Sequence, residues 1–398
     1  MIVLVANLGS TSLKFKLYRA DSADGLAALA SGSADRIGQG GSSWKVAGAS
    51  DTKAGTDDFA DHQAAAACLL EQLPHVGDVA ADQIGAIGFK AVHGGPISGA
   101  VQVDEQVIAT MQDFADVAPA HNPPYINAMR AFAELLPDAA QVAVFETAFH
   151  QTIPPARQVY GIPHEWIDKG VRRYGFHGAS NTYIARRLKQ VRPDARRVIN
   201  LHLGGSCSVC AILDGQSVAH SMGTTPQTGV MHASRVGDFD LFALLRLRSQ
   251  GVSTDEALDT HGNRSLLLVL SGVSADLRDI ETAAAEGNAQ AQLAIDAFVE
   301  SCRHYLGAYA VALGGVDAIV FTAGIGQNGS DIRAAICADL AFLGATLDEA
   351  KNAAAPGDAE TKISTDASTA EIWVIPTDEE QVVAKQTVEV LEGAAAAT

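Results

Sequence analysis

The chain has 398 residues, 47% of them hydrophobic, and a formal net charge of −18. That length predicts two domains of ordinary size, and the acidic balance argues against nucleic acid or anionic membrane as main partners. Five scattered cysteines, no basic leader and no apolar run of roughly 20 residues predict reduced thiols and a soluble, cytoplasmic protein.

Residues 3–17, VLVANLGSTSLKFKL, read as an apolar strand, a turn of Gly and small polar residues, and a second, alternating strand. A Gly/Ser-rich excursion at 38–43 precedes a strand Ile84–His93. A helix then opens at Asn122-Pro123-Pro124, with Asn as N-cap and Pro in the first turn, before a strand Gln141–Phe145. Residues 198–212, VINLHLGGSCSVCAI, repeat the opening hairpin. Downstream come a helix at about 288–313, a strand Ala318–Thr322, a glycine-rich turn at 323–326 and a loop Lys351–Lys362. A strand Ile372–Ile375 and a last helix from about Asp378, expected to pack on the first domain, close the chain. The alternation of strands and helices predicts an α/β class.

Bare of bulky side chains, each hairpin turn can bring backbone N–H groups against an anion such as phosphate. Its repetition predicts a duplicated domain, two phosphate cradles facing a shared cleft, and a nucleotide-using enzyme. Cys207 and Cys210 form a C-x-x-C, but no second Cys/His pair at ligand spacing accompanies them. Cys302 falls in a helical apolar stripe with Leu293, Phe298, Tyr305 and Tyr309, and is expected in the core.

A series of blocks in order resembles the acetate kinase (acetokinase) family: NLGSTSLK (7–14), AVHGG (91–95), AHNPP (120–124), FETAFH (145–150) and RRYGFHG (172–178). SMGTTP through SRVGDFD (221–240), FTAGIGQN (321–328) and PTDEE (376–380) complete the set, so the resemblance runs from Val3 to about Gln386. It implies an α/β chain with the duplicated ribonuclease H-like two-domain fold of the actin/Hsp70/sugar-kinase ATPases. Residues 1–148, completed by a C-terminal helix at about 378–398, would form one ATPase-like domain. Residues 149–377 would form the other, carrying the adenosine site. The implied reaction is reversible, ATP-dependent phosphorylation of acetate or another short-chain carboxylate to acyl phosphate, with Mg²⁺ or Mn²⁺, by a homodimer.

Residue by residue, the resemblance implies catalytic roles for Glu146, His177 and Arg235, and metal association for Asn7 and Glu379. Lys14 matches a nucleotide-contacting lysine. His202, Leu203, Gly204, Gly205 and Ser206 match the second phosphate cradle. Asp276, Leu277 and Arg278 match a loop near the adenosine, and Gly324, Ile325, Gly326, Gln327 and Asn328 match an adenosine turn. Lys90, Val92, Ala120, Phe176 and Pro226 match the carboxylate pocket. Taken alone, Asn7 could serve as a turn cap, Glu379 as a first-turn helix acid, and Gly324 and Gly326 as a plain strand-to-helix turn.

A carboxylate is already ionised at neutral pH, so the difficulty is electrostatic: an anion must approach an anionic nucleotide. An arginine's fixed charge suits that task. The chain departs from the family pattern at Lys90 (Arg), Glu146 (Asp), Ala120 (a bulkier apolar residue), Gly205 (Asn), Asn181 (His) and Gln327 (Glu). A shorter Lys90 and a longer Glu146 would compensate each other. Ala120 would leave room for further methylenes, each worth about 0.8 kcal/mol when buried, so propionate or butyrate could rival acetate. Two rival readings keep the fold: a sugar-type hydroxyl kinase with Glu146 as general base, and an ATP-switched binding module.

Overall fold

Val3, Leu4, Val5 and Ala6 are all closed to solvent, because their strand, β1 (Ile2–Gly9), lies inside a sheet covered on both faces. This and all that follows is taken from a computed structural model that describes residues 1–77, 79–119, 121–263 and 267–397. The chain divides into two units, Met1–Phe149 with Asp378–Thr398, and His150–Thr377.

In the first unit β1 is followed by β2 (Ser12–Ala20), β3 (Leu26–Asp35), β4 (Ser42–Gly48) and β5 (Thr52–Asp57), all antiparallel neighbours. Then come β6 (Ile84–Ala91), β7 (Ala100–Gln102) and β8 (Ala140–Phe145), and the sheet order is β5-β4-β3-β2-β1-β6-β8-β7. Strand β6 runs parallel to β1 and β8 parallel to β6. The helix Glu379–Ala397 returns to this unit and buries Val383, Ala384, Thr387 and Val388. Gly88 on β6 makes that approach possible, since a Cβ there would run into Thr387 Oγ1 and Val383 Cγ1.

The second unit contains β9 (Arg197–Leu203), β10 (Cys207–Leu213), β11 (Gln216–His220), β12 (Ala318–Thr322), β13 (Thr361–Lys362) and β14 (Glu371–Val374). Their order is β11-β10-β9-β12-β14-β13. Strands β9 to β11 are antiparallel, whereas β12 and β14 run parallel to β9. The stretch β3-β2-β1-β6-β8 of one sheet therefore matches β11-β10-β9-β12-β14 of the other: a meander, then two parallel strands beside its first strand. The fold is a duplicated α/β, ribonuclease H-like one.

Local structure corrects several expectations. Strand β6 stops at Ala91, short of His93. Asn122 lies inside its helix rather than capping it, and is fully buried. Its amide donates to His93 O and Met111 O at 2.9 Å and to Phe114 O at 3.3 Å, a tertiary use that outweighs capping preference. The glycine-rich turn is a short helix, Ala323–Asn328, entered through Ala323 in the left-handed region (φ 64). The Lys351–Lys362 loop holds the last turn of a helix, Glu349–Ala354, and strand β13. Cys302 is buried as expected, but Leu293 is 54% exposed, because the helix Ala289–Leu313 turns that position outward. All five cysteines are free.

Candidate active site

Ligands of open α/β sheets gather at the carboxyl ends of parallel strands. In the first unit that edge carries Asn7 on β1, Lys90 and Val92 at the end of β6, and Glu146 just past β8. The register pairs Ala6 with Phe89 and Ala91 with Phe145, and Glu146 N donates to Ala91 O at 2.8 Å. The Lys90 ammonium donates to Glu379 Oε2 in an ion pair whose side chains are 16% and 14% exposed. Burial opposes the Lys90 charge, yet Glu379, Glu146 and Tyr125 together hold its pKa above the ordinary lysine value. Glu379 is thus the main partner of Lys90, with Glu146 the second.

Tyr125 was invisible as a site residue. Its hydroxyl accepts from Leu8 N at 3.1 Å and donates to Asn7 Oδ1 at 3.4 Å, and burial raises its pKa. Asn7 faces Lys14 across the β1–β2 hairpin. Lys14 is exposed and lines a groove of about 330 Å³ with Lys16, Ser31, Ser33, Lys45 and Glu380. Lys16 is held by Asp378 at 3.2 Å and Glu380 at 3.4 Å. Val92 packs against the core of this unit, and Ala120 lies outside the described residues.

In the second unit two histidines and an arginine each meet the repeated hairpin. His177 precedes the helix Gly178–Val191 with a left-handed φ of 55, a backbone state that costs a non-glycine residue about 1–3 kcal/mol. Its Nδ1 lies 2.9 Å from Ser208 Oγ on β10, and its ring stacks on His202 with centroids 4.0 Å apart. His202 Nδ1 is 2.9 Å from Ser180 Oγ. Asn181, the departure noted above, donates to His177 O at 2.8 Å and accepts from Asn200 at 2.8 Å.

Arg235 donates to Ser206 Oγ at 3.0 Å and to Pro226 O at 3.3 Å. Burial lowers its pKa, and among the described residues no carboxylate forms an ion pair with it. A part-buried guanidinium held only by neutral acceptors is primed for an anion. Asp238 braces its loop, accepting from Gly229 N at 3.0 Å and from the Tyr305 hydroxyl.

A cavity of about 610 Å³, of the size that takes small ligands, joins three of the predicted nucleotide stretches. Gly204, Gly205, Asp276, Leu277, Arg278, Gly324, Ile325 and Asn328 line it, with Ala233 and Glu281. Asp276 caps the helix Leu277–Ala285 by accepting from Arg278 N at 3.0 Å, and its bonds to Arg278 pull its pKa down to about 2. Leu203 and Gly326 are buried beneath the cavity floor. Gln327 turns away: with its amide oriented to satisfy both neighbours, it donates to Gly357 O and accepts from Ala323 N, each at 3.2 Å. A glutamate could not make the first bond, which accounts for that departure.

Arg333 was also missed. It is 1% exposed and donates to Gly326 O at 3.0 Å, Gln327 O at 2.7 Å, Asn352 Oδ1 at 2.8 Å and Asn352 O at 2.9 Å. It therefore satisfies the last carbonyls of the helix Ala323–Asn328 and holds one wall of the cavity. No local pattern announces it, because Asn352 is 19 residues away.

Among the described residues no three His, Cys, Asp or Glu side chains form a metal-ligand group. Asn7 and Glu379 offer oxygen donors only, and few of them. That set fits a hard cation that arrives with phosphate ligands and keeps its waters, not a protein-caged ion.

A family model described as the Acetokinase family matches residues 2–385. Acetate kinases of Heliobacterium modesticaldum and Carboxydothermus hydrogenoformans are each 41% identical, over 99% and 98% of this chain and 100% and 99% of their own. The crystal structure of Porphyromonas gingivalis acetate kinase superposes with a TM-score of 0.89 at 36% identity, covering 98% of this chain and 99% of that one. A propionate kinase from Francisella tularensis does so at 0.90 and 32%, with the same coverage.

Proposed function

Because the chain belongs to the acetokinase family, we infer from its two sites that it catalyses reversible transfer of the terminal phosphoryl of ATP to acetate, giving acetyl phosphate and ADP. The enzyme class, a phosphotransferase with a carboxylate acceptor, follows from the family. The observation that carries the reading at residue level is Arg235, a part-buried cation without a carboxylate partner. It bonds Ser206 in the β9–β10 turn, whose strands carry His202 and Ser208, the contacts of His177, and whose Gly204 and Gly205 line the cavity.

We assign the nucleotide to the second unit: adenosine over Gly324–Asn328 and Asp276–Arg278, phosphates along Gly204–Ser206. Arg235 donates to equatorial oxygens of the transferring group, and His177 donates beside it. We assign the first unit, residues 1–148 with the C-terminal helix, to acceptor and metal. Asn7 and Glu379 would hold a magnesium or manganese ion there, which would supply positive charge to balance an anionic substrate. The acetate carboxylate needs no base, so Glu146 and Lys90 orient and balance charge. Lys14, exposed on the first hairpin, is assigned as a nucleotide-binding cation. Val92, packed against the core of the first unit, is assigned as an apolar wall for the methyl group.

Acetate is favoured over propionate or butyrate because curated relatives at 38–41% identity over nearly the whole chain are acetate kinases. The hydroxyl-kinase reading draws no support from relatives of this identity. No helix among the described residues is long and apolar enough to cross a membrane, which is in keeping with a cytoplasmic enzyme. Exposed Leu241 (71%), Phe242 (74%) and Val311 (83%) on the second unit support a homodimer.

A hydroxylamine trap tests the reading. With Mg-ATP, acetate should give hydroxamate fastest, ahead of propionate and butyrate. A purified protein that yields hydroxamate from none of the three does not have this function.

A further inference from the structure

The FETAFH block ends on His150, which the roles assigned so far leave unused. The ring is 2% exposed. Its Nε2 lies 2.7 Å from Phe176 O, and a carbonyl can only accept, so Nε2 carries the proton. Its Nδ1, 2.8 Å from Ser217 Oγ, must then accept from the Ser217 hydroxyl in the neutral ring. Both ring nitrogens are engaged, so tautomer and plane are fixed. Burial pushes the pKa down to about 4, which keeps the ring neutral at working pH.

The segment that follows is bent around this ring. Gly175 has φ +77, and a Cβ there would come within 2.7 Å of His150 Cγ. His177, two residues on, also has a left-handed φ, of 55. Phe176, between them, is the residue whose carbonyl His150 holds. The left-handed state of His177 persists only where its surroundings over-determine it, and just before it His150 bonds Phe176 and packs at Gly175.

We propose that His150 is a positioning residue: by holding the Phe176 carbonyl and shaping the bend at Gly175, it presents the His177 imidazole to the transferring phosphoryl group. The inference rests on the proposed function, and its test separates the two. Initial rates of hydroxamate formation, with kcat and both KM values, are measured for wild type, His150→Leu, His150→Gln and Ser217→Ala. Each is made with His177 intact and in a His177→Ala background.

With His177 intact, His150→Leu should lower kcat by about 10- to 100-fold, the scale for loss of a group orienting a catalytic residue. The nucleotide KM should change by less than about two-fold, since uniform binding is untouched. His150→Gln, which keeps an amide donor and an acceptor, should recover part of that loss. Ser217→Ala, which removes the bond that fixes the tautomer, should lower kcat by a few-fold. In the His177→Ala background the same substitutions should leave kcat unchanged within about two-fold, because residues acting through one another are non-additive.

An equal kcat loss in both backgrounds overturns the proposal, as does wild-type kcat in His150→Leu or a change confined to the nucleotide KM. Should the His150 variants fail to fold, Ser217→Ala decides by the same comparison. A wild type that forms no hydroxamate refutes the function instead, and is recognised before any variant is made.

Discussion

Gly205 shows how a single departure can be read once its surroundings are known. The family pattern places asparagine there, and a Cβ on Gly205 would meet nothing within 4 Å. Its φ is not in the left-handed region, so a side chain adds no strain. Gly205→Asn is expected to fold as wild type and add one hydrogen bond to a nucleotide phosphate, worth about 1 kcal/mol. The nucleotide KM should fall roughly five-fold, as initial rates against ATP would record. The buried histidines give a second residue-scale prediction. Burial holds His150 at about 4 and His232 at about 3, below the ordinary 6.5. Below pH 6.5 the unfolded chain binds protons that the folded chain refuses, so stability is lost as pH falls from 6.5 towards 4. Each ring contributes about 1.4 kcal/mol per pH unit in that window and nothing above it. Urea titrations at several pH values should show a shallower slope in His150→Gln than in wild type.

At the scale of elements, the helix Ala323–Asn328 is too short to be stable alone. It is held because Arg333 takes the carbonyls of Gly326 and Gln327 while bonding Asn352 on a neighbouring helix. Arg333→Ala leaves those carbonyls without their donor in a buried place. It should cost about 2–4 kcal/mol of stability and raise the nucleotide KM more than the acetate KM. Arg333→Lys should recover little of either, because an ammonium cannot reproduce the planar fork. Thermal melts with and without Mg-ATP, alongside initial rates, would register both effects. The short helix also explains why glycine punctuation misled: Gly324 and Gly326 read as a turn, and only Arg333, downstream, shows that the segment closes as helix.

At the scale of the whole molecule, the first unit is discontinuous in sequence. Its sheet ends at β8, yet the helix Glu379–Ala397 supplies Val383, Ala384 and Val388 to its interior and Glu379 to Lys90. A chain ended after Thr377 would expose β6 at Gly88 and leave a buried lysine without its main partner. Such a truncation should lose cooperative unfolding of the first unit, while the second retains its own transition by calorimetry. One intact pair of transitions, unchanged in midpoint, would show that the helix contributes nothing to that fold.

The order of residues alone determined the α/β class, the two glycine hairpins and the positions that belong to the acetokinase pattern. These are local signals: a period of two along strands, and small residues where a backbone must meet an anion. Tertiary structure decided the rest. The strand orders that make the two sheets alike depend on which edges pair. Tyr125 beside Asn7, Glu379 on Lys90 and Arg333 on the carbonyls of Gly326 and Gln327 meet their partners only after the chain has folded. The 289 residues separating Lys90 from Glu379 make the reason plain: electrostatic and hydrogen-bond partnerships act over ångströms in space, and spacing along the chain does not encode them.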